Sequence, residues 1–145
     1  MINSNGTYWS DSEGKLHRDG DLPSIISPDG TRCWYRHGKR HRDGDLPAEI
    51  YQDGTEYWYK NGLLHRDGDL AAMIFLNGTQ CWWKNGQRHR DGDLPASINS
   101  NGEQYWWKKG KLHRDKDLPA KIEIRIDENT GEKKYLAKYY VNGIF

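Results

Sequence analysis

The chain has 145 residues, 34% of them apolar, 30% charged and 12% aromatic, and 22 Lys and Arg against 21 Asp and Glu leave a net charge of +1. That length suits one domain, and a mean hydropathy of −1.07 leaves room only for a thin core, rich in rings. The balanced charge excludes the positive field that recruits nucleic acid or an anionic membrane, and no apolar run is long enough to span a bilayer.

The opening Met1-Ile2-Asn3-Ser4-Asn5 has neither the basic start nor the apolar stretch of a signal peptide, so a cytoplasmic protein is expected. Beyond it the chain is a repeat. His-Arg-Asp begins at His17, His41, His65, His89 and His113, each 24 residues after the last. Glycine, leucine and isoleucine keep the same phase, as at Gly54, Gly62, Leu70 and Ile74. Within one unit, Thr55 to Lys60 is rich in aromatic residues and bounded by Asp53-Gly54 and Asn61-Gly62, which predicts a strand between turns. Leu63 to Leu70 is too polar and short for a helix and reads as a structured loop. Ala72 to Leu76 is a second short strand, and Asn77-Gly78 after it has the composition of a type I′ hairpin turn. Pro23, Pro47, Pro95 and Pro119 fall where a strand should begin, a position that tolerates the missing N–H.

The ends depart from the unit. Ser10 stands where later copies carry Trp, and at the other end Lys121 to Asp127 alternates, Glu128 to Gly131 lengthens a turn, and Lys133 to Val141 follows. That last hairpin reads as a cap whose charged side blunts the sheet edge. The expected fold is all-β: an elongated repeat protein of antiparallel β-hairpins forming a twisted single-layer sheet. One repeat domain fills 1–145, with five 24-residue repeats over about 6–125 and a C-terminal cap over 121–145. Ten to twelve strands about 4.8 Å apart would give a ribbon on the order of 50 Å long.

Trp58-Tyr59-Lys60-Asn61-Gly62-Leu63-Leu64-His65, followed by Gly68 and Asn77-Gly78, resembles the MORN repeat. The likeness covers nearly the whole chain. Arg66-Asp67 separates His65 from Gly68, and Leu-Pro-Ala follows Asp45, so the unit is a divergent variant, similar to the MORN-like repeats of bacterial, phage and giant-virus proteins. The resemblance implies a single-layer β-sheet that binds protein partners, sometimes lipid, without catalysis. A more distant likeness is to the choline- or glucan-binding repeats of bacterial surface proteins, which also carry Trp-Tyr pairs on short hairpins.

His-Arg-Asp also occurs in the catalytic loop of protein kinases, but the Gly-rich phosphate cover, strand Lys and metal-binding Asp of that site are missing here. The triplets His17-Arg18-Asp19, His41-Arg42-Asp43, His65-Arg66-Asp67, His89-Arg90-Asp91 and His113-Arg114-Asp115 instead read as structural loops. Each Arg should reach an Asp of its own or the next copy, and each His should donate to a loop carbonyl. Asp43-Gly44-Asp45 invites a calcium reading, but an EF-hand needs more oxygens and a distal Glu, and zinc would need ligands closer together than one His per copy. No cofactor or metal is expected. Cys33 and Cys81 lie two repeats apart, roughly 19 Å across four strands, too far for a disulfide, and are expected to be free thiols. No nucleophile with an attendant base appears, so no enzymatic activity is expected. Asn5-Gly6-Thr7 and Asn77-Gly78-Thr79 match the glycosylation sequon but read as turns.

Alternation places Trp34, Trp58, Trp82 and Trp106 in one column bordered by Arg36, Lys60, Lys84 and Lys108. The column is either a binding strip, suited to carbohydrate or lipid, or it is buried beneath the His-Arg-Asp loops with the arginines stacked on the rings. The scarcity of aliphatic residues favours burial. The second strand varies between copies: Ile25, Glu49, Met73, Ser97 and Lys121 share one phase, and Ser27, Tyr51, Phe75, Asn99 and Glu123 another. Specificity would be written where the repeat exerts no constraint, and Tyr51, Met73 and Phe75 cluster in the middle copies. The expected partner is another protein, bound by an adaptor or, for a phage product, an inhibitor; nucleic acid and membrane are not expected.

Overall fold

The computed structural model describes residues 2–3 and 6–145, with side chains from residue 6 onward. Asn5 of the first sequon lies outside the described residues. The protein is all-β, built from antiparallel hairpins in a long open sheet. Its main sheet has 12 strands in which every neighbour is also the next strand of that sheet along the chain. From Ile25–Ile26 to Gln104–Tyr105 its strands are two residues long, two from each copy. At 4.8 Å per step, twelve strands give the expected ribbon of about 50 Å.

Thr55 to Lys60 is not one strand. The main-sheet ladder takes Glu56–Tyr57, the chain turns away at Trp58, and Tyr59–Lys60 pairs with Leu63–Leu64 in a small satellite hairpin. The residues read as the start of a loop therefore form its second strand. The same satellite recurs at Tyr35–Arg36/Lys39–Arg40, Trp83–Lys84/Gln87–Arg88 and Trp107–Lys108/Lys111–Leu112. Trp58 causes the break: its backbone N–H donates to Ala72 O at 2.8 Å and its carbonyl accepts from His65 N–H at 3.1 Å, so it bonds to the second strand on one side and the loop on the other.

Turn types follow from this split. The type I′ turn sits at Asn61-Gly62, where φ is 52° and 89°, the positive values at both central positions that this two-residue turn requires. Asn77-Gly78 instead belongs to a three-residue loop: Phe75 N–H donates to Thr79 O and Gly78 N–H to Phe75 O, both at 2.9 Å. Only Gly78 takes positive φ there, and the Asn77 side chain accepts from Thr79 N–H at 2.9 Å. The prolines end the preceding loop rather than opening a strand. In the second copy the ladder begins at Ala48, one residue after Pro47, with Ala48 N–H donating to Tyr57 O.

Phase alignment misplaces the first copy's tryptophan. Trp9, not Ser10, is the structural counterpart of Trp34, since Trp9 N–H donates to Ser24 O and Trp9 O accepts from His17 N–H. One extra residue between Trp9 and His17 is absorbed in the turn around Asp11 to Lys15. At the far end Lys121–Ile126 pairs with Lys133–Lys138 over six residues each, as a capping hairpin. The second strand stops short of the expected Val141, and Val141 and Ile144 form a bridge that repeats the satellite turn around Asn142-Gly143.

The core is as thin as composition requires. Among the described residues, the buried apolar ones are Trp34, Trp58, Trp82 and Trp106, the alanines Ala48, Ala71, Ala72, Ala96 and Ala120, and the two cysteines. Ser24 and its alanine phase-mates Ala48, Ala72, Ala96 and Ala120 are all 0% exposed, and each carbonyl accepts from the backbone N–H of a tryptophan, as Ala72 O does from Trp58. Trp82 packs with Ala71 and Ala96, and Ile74, Ile98 and Trp107 close around them.

Candidate functional site

The His-Arg-Asp loops lie over the tryptophans. Arg18, Arg42, Arg66, Arg90 and Arg114 stack on Trp9, Trp34, Trp58, Trp82 and Trp106 at 3.6–4.0 Å from the ring centroids. The four later rings are 6–7% exposed, so the column is covered and offers no strip for carbohydrate or lipid. Guanidinium stacking of this kind adds roughly 0.5–2 kcal/mol per pair, most where water is excluded.

Arg42, Arg66, Arg90 and Arg114 also stitch their copies, each to an Asp of the copy before rather than of its own or the next. Arg66 Nε and Nη2 donate to the two Asp45 carboxylate oxygens at 2.7 and 2.9 Å, while Nη1 donates to Ala71 O at 3.2 Å. Arg42 pairs likewise with Asp21, Arg90 with Asp69, and Arg114 with Asp93. The Asp of each triplet has another task. Asp67 accepts from Lys60 Nζ at 2.7 Å and from His65 Nε2 at 3.0 Å, and Asp91 and Asp115 are bound in the same way. Asp43 is held by Arg36 and His41, and Asp19 by His17.

The histidines thus donate to a carboxylate rather than to a carbonyl. Their other nitrogen reaches the following copy: Asn61 N–H donates to His41 Nδ1 and Asn85 N–H to His65 Nδ1, each at 3.1 Å. An Nδ1 that accepts fixes the proton on Nε2, the tautomer the aspartate requires. The polar groups of the triplet are therefore engaged within the chain: the aspartate of the triplet braces its own loop, while the arginine fork and the histidine Nδ1 hold neighbouring copies in register. Clefts of up to ≈ 580 Å³ between successive loops are lined by these same engaged residues.

The opposite ladder row carries the variation. Cross-strand pairing runs Cys33 to Glu49 to Tyr57 to Met73 to Cys81 to Ser97 to Tyr105 to Lys121, which places these residues on one face. Of the three residues singled out in the sequence, Tyr51 and Phe75 meet edge-on around Tyr57, at 5.1 and 5.9 Å between ring centroids, and Met73 is Tyr57's cross-strand neighbour. All three are half-buried. Burial, and next to it the Glu49 charge, push the Tyr51 and Tyr57 hydroxyls above the ordinary tyrosine range.

No family model, no curated protein and no solved structure matches this chain. Its chemistry therefore rests on its own geometry. No group of three or more His, Cys, Asp or Glu suited to holding a metal occurs among the described residues. No helix among them is long and apolar enough to cross a membrane.

Cys33 and Cys81 are free and buried, as expected from their spacing. Burial, then the Glu49 carboxylate, raises the Cys33 thiol to about 11. The intact protein should therefore show two free thiols by mass without reductant, and Cys33 should alkylate at neutral pH only after unfolding, as timed labelling in and out of urea would show. Rapid alkylation of Cys33 in the folded protein would contradict its placement.

One set of residues goes unmarked by the 24-residue period. Arg40 and Arg88 take a satellite position filled by Leu64 and Leu112 in the alternate copies, just as Cys33 and Cys81 alternate with Tyr57 and Tyr105. The signal is a period of 48, twice the unit, and it lies in the face that varies.

Proposed function

We propose that the protein is a non-catalytic protein-binding repeat module, acting as an adaptor or, in a phage, as an inhibitor, in the cytoplasm. The observation that carries this reading is the division of labour between the two ladder rows. On the loop side each copy spends its His, Arg, Asp and Trp side chains on contacts within the chain, and the exposed loop leucine is the same residue in every copy. On the other side the positions of Glu49, Met73 and Ser97, and of Tyr51, Phe75 and Asn99, change from copy to copy on a rigid frame. The half-buried Tyr51, Met73 and Phe75 around Tyr57 supply an aromatic and thioether anchor of the type that dominates protein interfaces. Buried free thiols suit a reducing compartment. Resemblance to the MORN repeat points the same way.

The test is retention of a protein from host lysate by the intact chain and by a Tyr51→Ala, Met73→Ala, Phe75→Ala variant whose circular dichroism and melting temperature show it folded. A specific protein kept by the first and lost by the second is expected, with an affinity loss of about 2 kcal/mol or more for a central anchor. Equal retention by both chains would remove this face from the reading.

A further inference from the structure

Arg40 and Arg88 occupy the same position two copies apart, and each guanidinium lies between two rings. Arg40 is 5.7 Å from the Tyr35 centroid and 5.2 Å from that of Tyr59; Arg88 is 5.2 Å from Trp83 and 5.1 Å from Trp107. In the first site the charge is answered within the chain. Arg40 Nη2 is 3.1 Å from Glu49 Oε1, whose side chain is 5% exposed.

In the second site the acid is missing. Cys33 faces Glu49 across the ladder, and its counterpart Cys81 faces Ser97, whose hydroxyl donates to the Cys81 sulfur at 3.5 Å. Arg88 accordingly makes no side-chain hydrogen bond or ion pair among the described residues; its Nε is buried without an acceptor, as Arg40 Nε also is, and here the indole N–H groups of Trp83 and Trp107 are buried without one too. Both ring walls have changed in the same sense, since each Tyr of the first site is a Trp in the second and brings an N–H donor. A cation held between rings with unanswered donors around it is costly unless an anion completes the set.

We propose that Arg88, Trp83 and Trp107 bind a carboxylate supplied from outside the chain, at the place the Glu49 carboxylate fills in the sister site. The ligand class follows from the sister site, where a carboxylate meets the equivalent guanidinium. Its source is either a small free carboxylate or an acidic side chain on a partner, and the site stands without the protein-binding reading.

The experiment titrates nitrogen-15-labelled protein with sodium acetate, and in parallel with sodium chloride at equal ionic strength, following side-chain N–H resonances. The Arg88 Nε–H and the Trp83 and Trp107 indole N–H signals are expected to move saturably with acetate and not with chloride. Ser97→Glu should abolish the response by supplying the carboxylate internally, and Glu49→Ser should add a second responding site at Arg40. Arg88→Leu, which the fold accommodates at Leu64 and Leu112, should also abolish it and keeps the test decisive if Ser97→Glu fails to fold. An equal response to chloride, or a response that survives Arg88→Leu, overturns the proposal. A blocked peptide with one central Glu, compared with its Gln analogue, separates the sources. Saturation at lower concentration than acetate assigns the site to an acidic partner, and no gain over acetate assigns it to a small carboxylate.

Discussion

Trp58→Ala is expected to cost about 3–5 kcal/mol, the range for removing a large buried ring, against a total of about 5–15 kcal/mol for a natural domain. Three consequences coincide at this position. The ring is 6% exposed, so truncation leaves a cavity under the loop. Arg66 loses the surface it stacks on at 3.9 Å, and with it the platform that aims its fork at Asp45. The Asp45 carbonyl loses the indole N–H that donates to it at 3.1 Å. Because each copy touches only its neighbours, the defect should break the ribbon in the middle, lowering both the urea midpoint and the slope of the transition. Trp9→Ala, in the first copy, should fray one end and cost less. Equal midpoints for the two variants would contradict a stability that propagates from copy to copy.

Acid should dissolve the stitching. Arg66 holds the Asp45 carboxyl below its ordinary value, and Arg42, Arg90 and Arg114 do the same for Asp21, Asp69 and Asp93. Lys60, then His65, lowers Asp67 to about 2, and Lys121, then Lys138, lowers Glu123 to about 2. A carboxylate with a lower pKa in the folded chain contributes stability above its unfolded value, near 3.9 for Asp, and that contribution is lost as pH falls through the folded value. The loss should therefore be concentrated between about pH 4 and pH 2. The aspartates are exposed and each is weak alone, but they recur from copy to copy and fail together. The melting temperature should fall steeply across that window, and Asp45→Asn with Asp69→Asn should lower it at neutral pH while changing it little near pH 2. A melting temperature unchanged from pH 7 to about pH 2 would falsify the ladder as a source of stability.

How far the sequence could be read depended on the range of the interaction involved. The strand pairs, the free cysteines and the burial of the tryptophan column all follow from spacing and composition. A 24-residue period made of turn dipeptides and alternating residues leaves few other ways to bond the backbone. Asn61-Gly62 and Asn77-Gly78 show the limit. Two identical dipeptides adopt different turns because strand pairing on either side, not the dipeptide, sets the loop length. Trp9 was hidden by a single extra residue, which breaks phase but not hydrogen bonding.

The sequence by itself determined an all-β repeat with a thin aromatic core, since hydrophobic pattern and turn chemistry are local properties repeated in each copy. Only the tertiary structure decided that Arg42, Arg66, Arg90 and Arg114 reach back to the preceding copy, that each triplet histidine points its second nitrogen forward, and that Glu49 answers Arg40 while Arg88 has no such partner among the described residues. Those choices depend on which side chains stacking brings within hydrogen-bonding distance of one another, and a separation of 20 residues along the chain does not reveal them.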